Sequence, residues 1–301
     1  MSEHDESTDP QRRQQPDTAG EQLPAPGTGR TTTSRLGDEP DHGEESYVGH
    51  GRLQDKVVLL TGGDSGIGRA VAIACAREGA DVVLTYLTTE EEDGRRTAEL
   101  VEQAGRRAVL VPGDITSEEF CEELVDRTVA EFGRVDVLVN NAAYQMAQPG
   151  SLADITTEQL DRVMRTNVYA MFWLTQRALR HMPRGGSVIG TTSVQASSPS
   201  PQLLDYACTK AAIVAFTRGL AEQVAPDGVR VNAVAPGPIW TPLIPATMPE
   251  DAVAEFGEQT PIGRAGQPAE VAPAYVFLAS ADATYITGEV IAVTGGKPVT
   301  V

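Results

Sequence analysis

From Lys56 onward the chain alternates between short apolar runs and longer amphipathic stretches. The runs at 57–60, 82–84, 108–111, 135–139, 187–189, 229–234 and 290–293 are rich in β-branched residues and lack polar alternation. That pattern marks strands covered on both faces. Between the runs, helices are predicted to begin near Gly66, Glu91, Ser117, Thr157 and Asp205. Strands spaced by helices and joined by right-handed crossovers give an α/β fold, a doubly wound parallel sheet of about seven strands with helices on both faces. The helix from about Thr157 to Met182 has Thr156 or Thr157 to cap it, and Pro183 with Gly185-Gly186 to end it. The helix from about Asp205 stops near Pro226.

Composition divides the chain near residue 50. Residues 1–50 are rich in Pro, Gly, Ser, Thr, Gln and acids, and Tyr47 is their only aromatic. Such a stretch buries too little apolar surface to offset its ordering entropy, so it reads as a disordered extension or as an arm that orders against a neighbouring subunit. Its removal through residue 45 is expected to leave the fold intact. Residues 51–301 form one domain, since the alternating pattern runs almost to the C-terminus. The net charge of -18 disfavours nucleic acid and anionic membranes as partners. No apolar run approaches the roughly 18 residues of a membrane helix, and no hydrophobic signal core opens the chain. Three distant cysteines read as free thiols of a cytoplasmic protein. Only His181 lies beyond the first fifty residues, so no metal site is expected.

The candidate chemistry sits where strands end. Gly62-Gly63-Asp64-Ser65-Gly66-Ile67-Gly68 follows the first strand and opens a helix. Glycines at 62, 66 and 68 allow a tight turn and close approach of backbone to a pyrophosphate, which the free helix amides then face. This is a Rossmann-type dinucleotide turn. It is not a P-loop, because no Gly-Lys-Ser/Thr follows. Asp114 and Ile115 end the third strand, and Asn140, Asn141 and Ala142 the fourth, on the same ligand-binding rim. Asp114 either accepts from an adenine amino group or serves as a helix N-terminal charge. Tyr206 and Lys210 lie four apart on a predicted helix and share a face. An ammonium there would lower the phenol's pKa towards that of a useful acid or base. Ser193, after the fifth strand, could hold a substrate oxygen. Cys208, between Tyr206 and Lys210, points away from both and reads as packing.

The order Thr61-Gly62-x-x-x-Gly66-x-Gly68, Asn140-Asn141-Ala142, Ser193, Tyr206-x-x-x-Lys210 and Pro236-Gly237 resembles that of the short-chain dehydrogenases/reductases over residues 51–301. Ala143 departs from the family's usual glycine. The Gly-Gly-Asp-Ser-Gly run, Asn-Ala-Ala after Asn140, residues 236–242 and the polar extension resemble a bacterial subgroup of general stress proteins and aldehyde reductases. The resemblance implies an oxidoreductase moving hydride between NAD or NADP and a small carbonyl or alcohol substrate. It implies catalytic roles for Asn167, Ser193, Tyr206 and Lys210, with Asn167 holding a water in a proton relay. Pro236, Gly237, Ile239 and Thr241 would bind cofactor, and Lys210 the nicotinamide ribose. It also implies a homotetramer built on the helices of Asn167 and Tyr206. The other readings are an epimerase or dehydratase with bound NAD(H), a dinucleotide sensor and a Rossmann-like methyltransferase. The second strand ends at Thr85-Tyr86-Leu87 with neither an acid nor an arginine, and Asp64 would repel a 2′-phosphate, which favours NAD. Residues 240–259, with Leu243, Ile244 and Met248, read as a substrate lid or an oligomer contact.

Overall fold

The computed structural model describes residues 33, 36, 39–148, 150–248, 253 and 255–299. Seven strands form one sheet: β1 (Val57–Thr61), β2 (Asp81–Tyr86), β3 (Ala108–Pro112), β4 (Val137–Asn140), β5 (Ser187–Thr191), β6 (Arg230–Pro236) and β7 (Val290–Val293). Their order is β3-β2-β1-β4-β5-β6-β7, and every pair is parallel. The chain winds outward from β1 to β3, then crosses back to β4. That reversal puts the switch point between β1 and β4, where open α/β sheets take ligands.

The helices are α1 (Gly66–Arg77), α2 (Glu91–Gln103), α3 (Glu118–Phe132), α4 (Thr157–Met164), α5 (Ala170–Ala178), α6 (Leu204–Val224), α7 (Leu243–Thr247) and α8 (Pro268–Ala279). Buried side chains of α1, α2 and α8 cover one face of the sheet. Those of α3, α5 and α6 cover the other. Central strands are mostly apolar and lack polar alternation because both faces are inside; β1 is buried at every position. Thr156 caps α4, its hydroxyl accepting from the Gln159 amide.

Two elements differ from expectation. The predicted single helix over 157–182 contains a π turn, Arg165–Tyr169, between α4 and α5. Helix α8 has no counterpart in the amphipathic reading. It is apolar on nearly every side, starts on Pro268 and contains Pro273, features that obscure a helical period.

The first fifty residues also divide. Residues 39–50 lie against their own subunit rather than apart from it. The Asp41 amide donates to Gln267 Oε1 and its carbonyl accepts from the Ala269 amide, both at 2.9 Å. This adds an outside partner to a cap that Gln267 and Glu270 make for α8. Tyr47 and Arg52 both bond to the Glu78 carboxylate, which is wholly buried. Arg77 donates to the carbonyls of Glu44 and Tyr47. Leu36 packs with Trp240, Ile244, Val253 and Ala265. Apart from Thr33, whose amide donates to Asp93 Oδ2 at 2.9 Å, the rest of the extension lies outside the described residues.

Candidate active site

A cleft of about 770 Å³ runs along the carboxyl ends of the strands. One end is built by the glycine turn. Gly62 has φ +63, and a Cβ there would lie 2.9 Å from Ala142 Cα. A Cβ on Gly68 would overlap the Gly62 carbonyl. Backbone therefore approaches backbone at a distance only glycine permits, which leaves room for a phosphate group. Ser65 starts α1 without a side-chain cap, so the first-turn amides are free to meet an anion. Thr61 Oγ1 takes the amides of Asn141 and Ala142, each at 3.0 Å. Asn141 Nδ2 donates to the carbonyls of Thr61 and Gly62, both at 3.1 Å. These bonds tie the end of β1 to the end of β4. The residues fit a dinucleotide.

Gly62, Asp64, Ser65, Gly66, Ile67, Gly68, Tyr86, Asp114, Ile115, Asn141, Ala142, Pro236, Gly237, Ile239 and Thr241 all line this cleft. Asp114 Oδ1 accepts from the Thr116 amide at 2.9 Å, so one oxygen serves the local turn. Asp64 is buried; burial raises its pKa, against a hydrogen bond from Ser65 that lowers it. The Asp64 carbonyl accepts from Arg69 Nε and Thr97 Oγ1, both at 2.9 Å. Arg69 also pairs with Asp93 at 2.9 Å. Its guanidinium is thus taken up by protein rather than offered to the cleft.

Ser193, Tyr206 and Lys210 line the same cleft. Ser193 opens the short turn after β5, and its Oγ accepts from the Gln195 amide at 3.2 Å. Lys210 is 1% exposed, and its Nζ donates to the Thr191 carbonyl at 2.8 Å. Nζ also sits 5.1 Å from the Tyr206 ring centroid. Burial pushes the Lys210 ammonium down to about 7. Burial pushes the Tyr206 phenol up to about 12, against a hydrogen bond with Ser193. The expected lowering of the phenol by its lysine neighbour is therefore reversed in the protein alone. Both groups lose water, and both then favour their neutral forms.

Asn167 does not line the cleft. Its Oδ1 accepts from the Tyr144 amide at 2.8 Å, and its Nδ2 donates to the Tyr144 carbonyl and Thr209 Oγ1, each at 3.0 Å. The side chain therefore staples the loop after β4 to the π turn and α6. Cys208 is exposed, which corrects its reading as packing.

Three threonines that no motif drew attention to support this wall, and Thr191 and Thr192 line it. Thr191 orients Lys210 through its carbonyl and meets the Tyr275 hydroxyl at 2.7 Å. Thr192 Oγ1 donates to the Lys210 carbonyl at 2.7 Å. Thr209 completes the Asn167 staple. Their only mark in the sequence is adjacency to Ser193 and Lys210. The segment read as a lid or an oligomer contact borders the far end: Leu243, Ile244 and Met248 line the cleft, and Thr247 Oγ1 accepts from Gln145 at 2.8 Å. Pro249 of this segment lies outside the described residues.

A family model described as enoyl-(acyl carrier protein) reductase matches residues 62–297. The chain belongs to the short-chain dehydrogenase/reductase family of oxidoreductases. It is 51% identical to general stress protein 39 of Bacillus subtilis, over 89% of this chain and 93% of that protein. It is 48% identical to NADPH-dependent aldehyde reductase 1, chloroplastic, of Arabidopsis thaliana, over 86% of this chain and 92% of that protein. Among solved structures, a short-chain dehydrogenase from Burkholderia cenocepacia in complex with NADP superposes with a TM-score of 0.76 at 34% identity, covering 81% of this chain and 98% of that one. A 3-ketoacyl-(acyl-carrier-protein) reductase from Brucella melitensis complexed with NADH gives 0.73 at 32%, with the same coverage. The subgroup resemblance and the fold expected from the sequence agree with these likenesses. No helix among the described residues is long and apolar enough to cross a membrane.

Proposed function

We propose that this short-chain dehydrogenase/reductase is a cytoplasmic, nicotinamide-dependent reductase of aldehydes or ketones, with Tyr206 as proton donor. The observation that carries the reading is the shared cleft: Ser193, Tyr206 and Lys210 stand on the wall that continues from the glycine turn. The glycine turn, Asn141, Ala142, Pro236, Gly237, Ile239 and Thr241 would hold the cofactor, whose nicotinamide supplies hydride to the carbonyl carbon. Ser193 Oγ holds the substrate oxygen and steadies the charge that develops there. The Tyr206 hydroxyl delivers its proton to that oxygen, a role suited to a phenol that burial keeps protonated. Lys210 then sits beside the phenolate left behind, close enough to favour it. Asn167 acts by position, through the Tyr144 loop.

NAD(H) is the preferred cofactor in this reading. The wall past β2 presents Asp64, Tyr86, Leu87 and Glu90, and the nearby Arg69 is paired with Asp93. A 2′-phosphate would meet acids there and no free cation. The relative named as NADPH-dependent argues the other way, so the screen below uses both cofactors.

The test is a spectrophotometric screen of aldehydes, ketones and alcohols that follows reduced cofactor. Expected are turnover of at least one carbonyl class, higher kcat/KM with NADH, and a loss of about 10²–10⁴-fold in Tyr206→Phe with cofactor affinity retained. A Tyr206→Phe enzyme above about a tenth of parental activity, a loss under ~1.4 kcal/mol, would remove Tyr206 from the role.

A further inference from the structure

Arg162 of α4 lines the cleft and takes no part in the chemistry described so far. Its guanidinium carbon stands 4.0 Å above the Tyr144 ring centroid. No carboxylate among the described residues forms an ion pair with it, Glu158 one turn earlier included, and two of the nearby acids are engaged elsewhere. Asp161 pairs with Arg165 at 2.9 Å. Asp205 takes Gln159 Nε2 at 2.7 Å and the Tyr206 amide at 2.8 Å.

The placement of this cation is fixed from below. Tyr144 packs with Val163, Leu203 and Tyr206 in one apolar cluster, and Asn167 holds both its amide and its carbonyl. Stacking on the ring restrains the guanidinium plane while its N–H donors remain open. A chain of -18 net charge thus keeps a half-buried, unneutralised arginine in the wall of its cleft, braced by the side chain that packs on Tyr206. A planar fork of donors in that setting matches a carboxylate or phosphate bidentately, and does so better than a lysine could.

Building on the reductase reading, we infer that Arg162 binds an anionic group carried by the carbonyl substrate, so that ω-carboxyaldehydes and related oxo acids are favoured over neutral carbonyls. The carbonyl end meets Ser193 and Tyr206, and the acid end meets the guanidinium over Tyr144. Reduction leaves the acid unchanged: hydride from the cofactor and a proton from Tyr206 convert the aldehyde to a primary alcohol.

The experiment compares a homologous series of ω-carboxyaldehydes with unbranched alkanals of matching length, on the full chain and on Arg162→Gln and Arg162→Lys. Expected is a parental preference for the acid at one chain length. In Arg162→Gln the ratio of kcat/KM for acid over alkanal should fall about 10–100-fold, through KM, the size of a lost charged hydrogen-bond pair. Arg162→Lys should recover part of it, keeping charge without the fork. Calorimetry of succinate and glutarate binding to the cofactor-loaded protein gives a readout free of turnover. Binding that disappears in Arg162→Gln supports the inference even if no aldehyde is reduced, an outcome that would sink the reductase reading alone. Equal succinate and glutarate binding by parent and Arg162→Gln, with no preference for the acid series, overturns the inference. So does a variant whose KM rises for cofactor instead of for the acid, because the guanidinium would then serve the dinucleotide.

Discussion

Lys210 is the residue at which function and stability pull apart. An ammonium 1% exposed, with one carbonyl acceptor and an aromatic ring for company, has lost most of its hydration. Its pKa falls from 10.5 to about 7 in the folded chain. The unfolded chain therefore binds the proton more tightly, and stability gains from a rise in pH across that window. The cost of the buried charge is full below about pH 7 and gone near the unfolded value. Lys210→Met should then raise the melting temperature at about pH 6 by an amount equal to about 1–2 kcal/mol, with the gain fading towards pH 10. Turnover should be lost at every pH. Thermal melts of the two proteins over that range decide it: a variant less stable than its parent in acid would make the ammonium a structural asset. The phenol runs in the opposite sense. Tyr206 goes from 10 to about 12, so it contributes stability below pH 10 that drains away as pH climbs to 12.

At the scale of elements, the π turn at Arg165–Tyr169 carries Asn167 inward to the loop after β4. A regular helix would rotate that side chain away, and such an insertion in a helix often marks a working part of a fold. Asn167→Ala removes three hydrogen bonds and should cost about 1–3 kcal/mol. Amide exchange over residues 142–148 should quicken while the sheet stays protected. Uniform protection loss across the sheet would show a global defect instead of a freed loop. Much of this architecture was legible in the chain. The strands showed because β-branched runs buried on both faces carry no alternation, and the helices at Gly66, Glu91 and Thr157 showed through amphipathic spacing, the last also through its Thr156 cap. Helix α8 did not, because it is covered on most sides, so its period vanished, and two prolines argued against it. The cleft residues were readable wherever the motif itself touches the cleft. Thr191 was not, because it acts through a main-chain carbonyl that any residue would supply. The cost of burying Tyr206 and Lys210 together was equally hidden, since sequence spacing reports that two groups meet but not how much water they lose.

The whole molecule poses two questions, its assembly and its N-terminal segment. Along the helices of Asn167 and Tyr206, Val168, Ala170, Met171 and Leu174 face the core, whereas Tyr169 and Phe172 are 42% and 52% exposed. Phe172 meets Phe216 of α6 edge to face at 4.7 Å, so adjacent helices share an outward aromatic patch. That patch supports the homotetramer proposed from the family resemblance. Light scattering should find an oligomer at micromolar concentration for the parent and smaller particles for Phe172→Glu. The N-terminal segment calls for a sharper cut than removal through residue 45. Deleting residues 1–38 takes away Thr33, whose amide donates to Asp93 at 2.9 Å, and Leu36, which packs on Trp240 and Ile244. It leaves Asp41 on α8 and Tyr47 on Glu78. That protein should melt within a few degrees of the parent, since among the described residues it loses the Leu36 side chain from one small apolar cluster and the Thr33 hydrogen bond to Asp93. Exchange should nevertheless quicken over residues 240–248, because Trp240 and Ile244 lose the side chain that packs on them. Deleting residues 1–48 strips Asp41 from the α8 cap and leaves the buried Glu78 carboxylate to Arg52 and the His50 amide. A buried charge short of one partner costs about 1–3 kcal/mol, and the lost cap a further ~1. The longer deletion should therefore melt clearly lower than the shorter one. Identical melts would mean that residues 39–48 rest on the domain without stabilising it. Unchanged exchange at 240–248 in the shorter deletion would show that the N-terminal segment does not steady those residues.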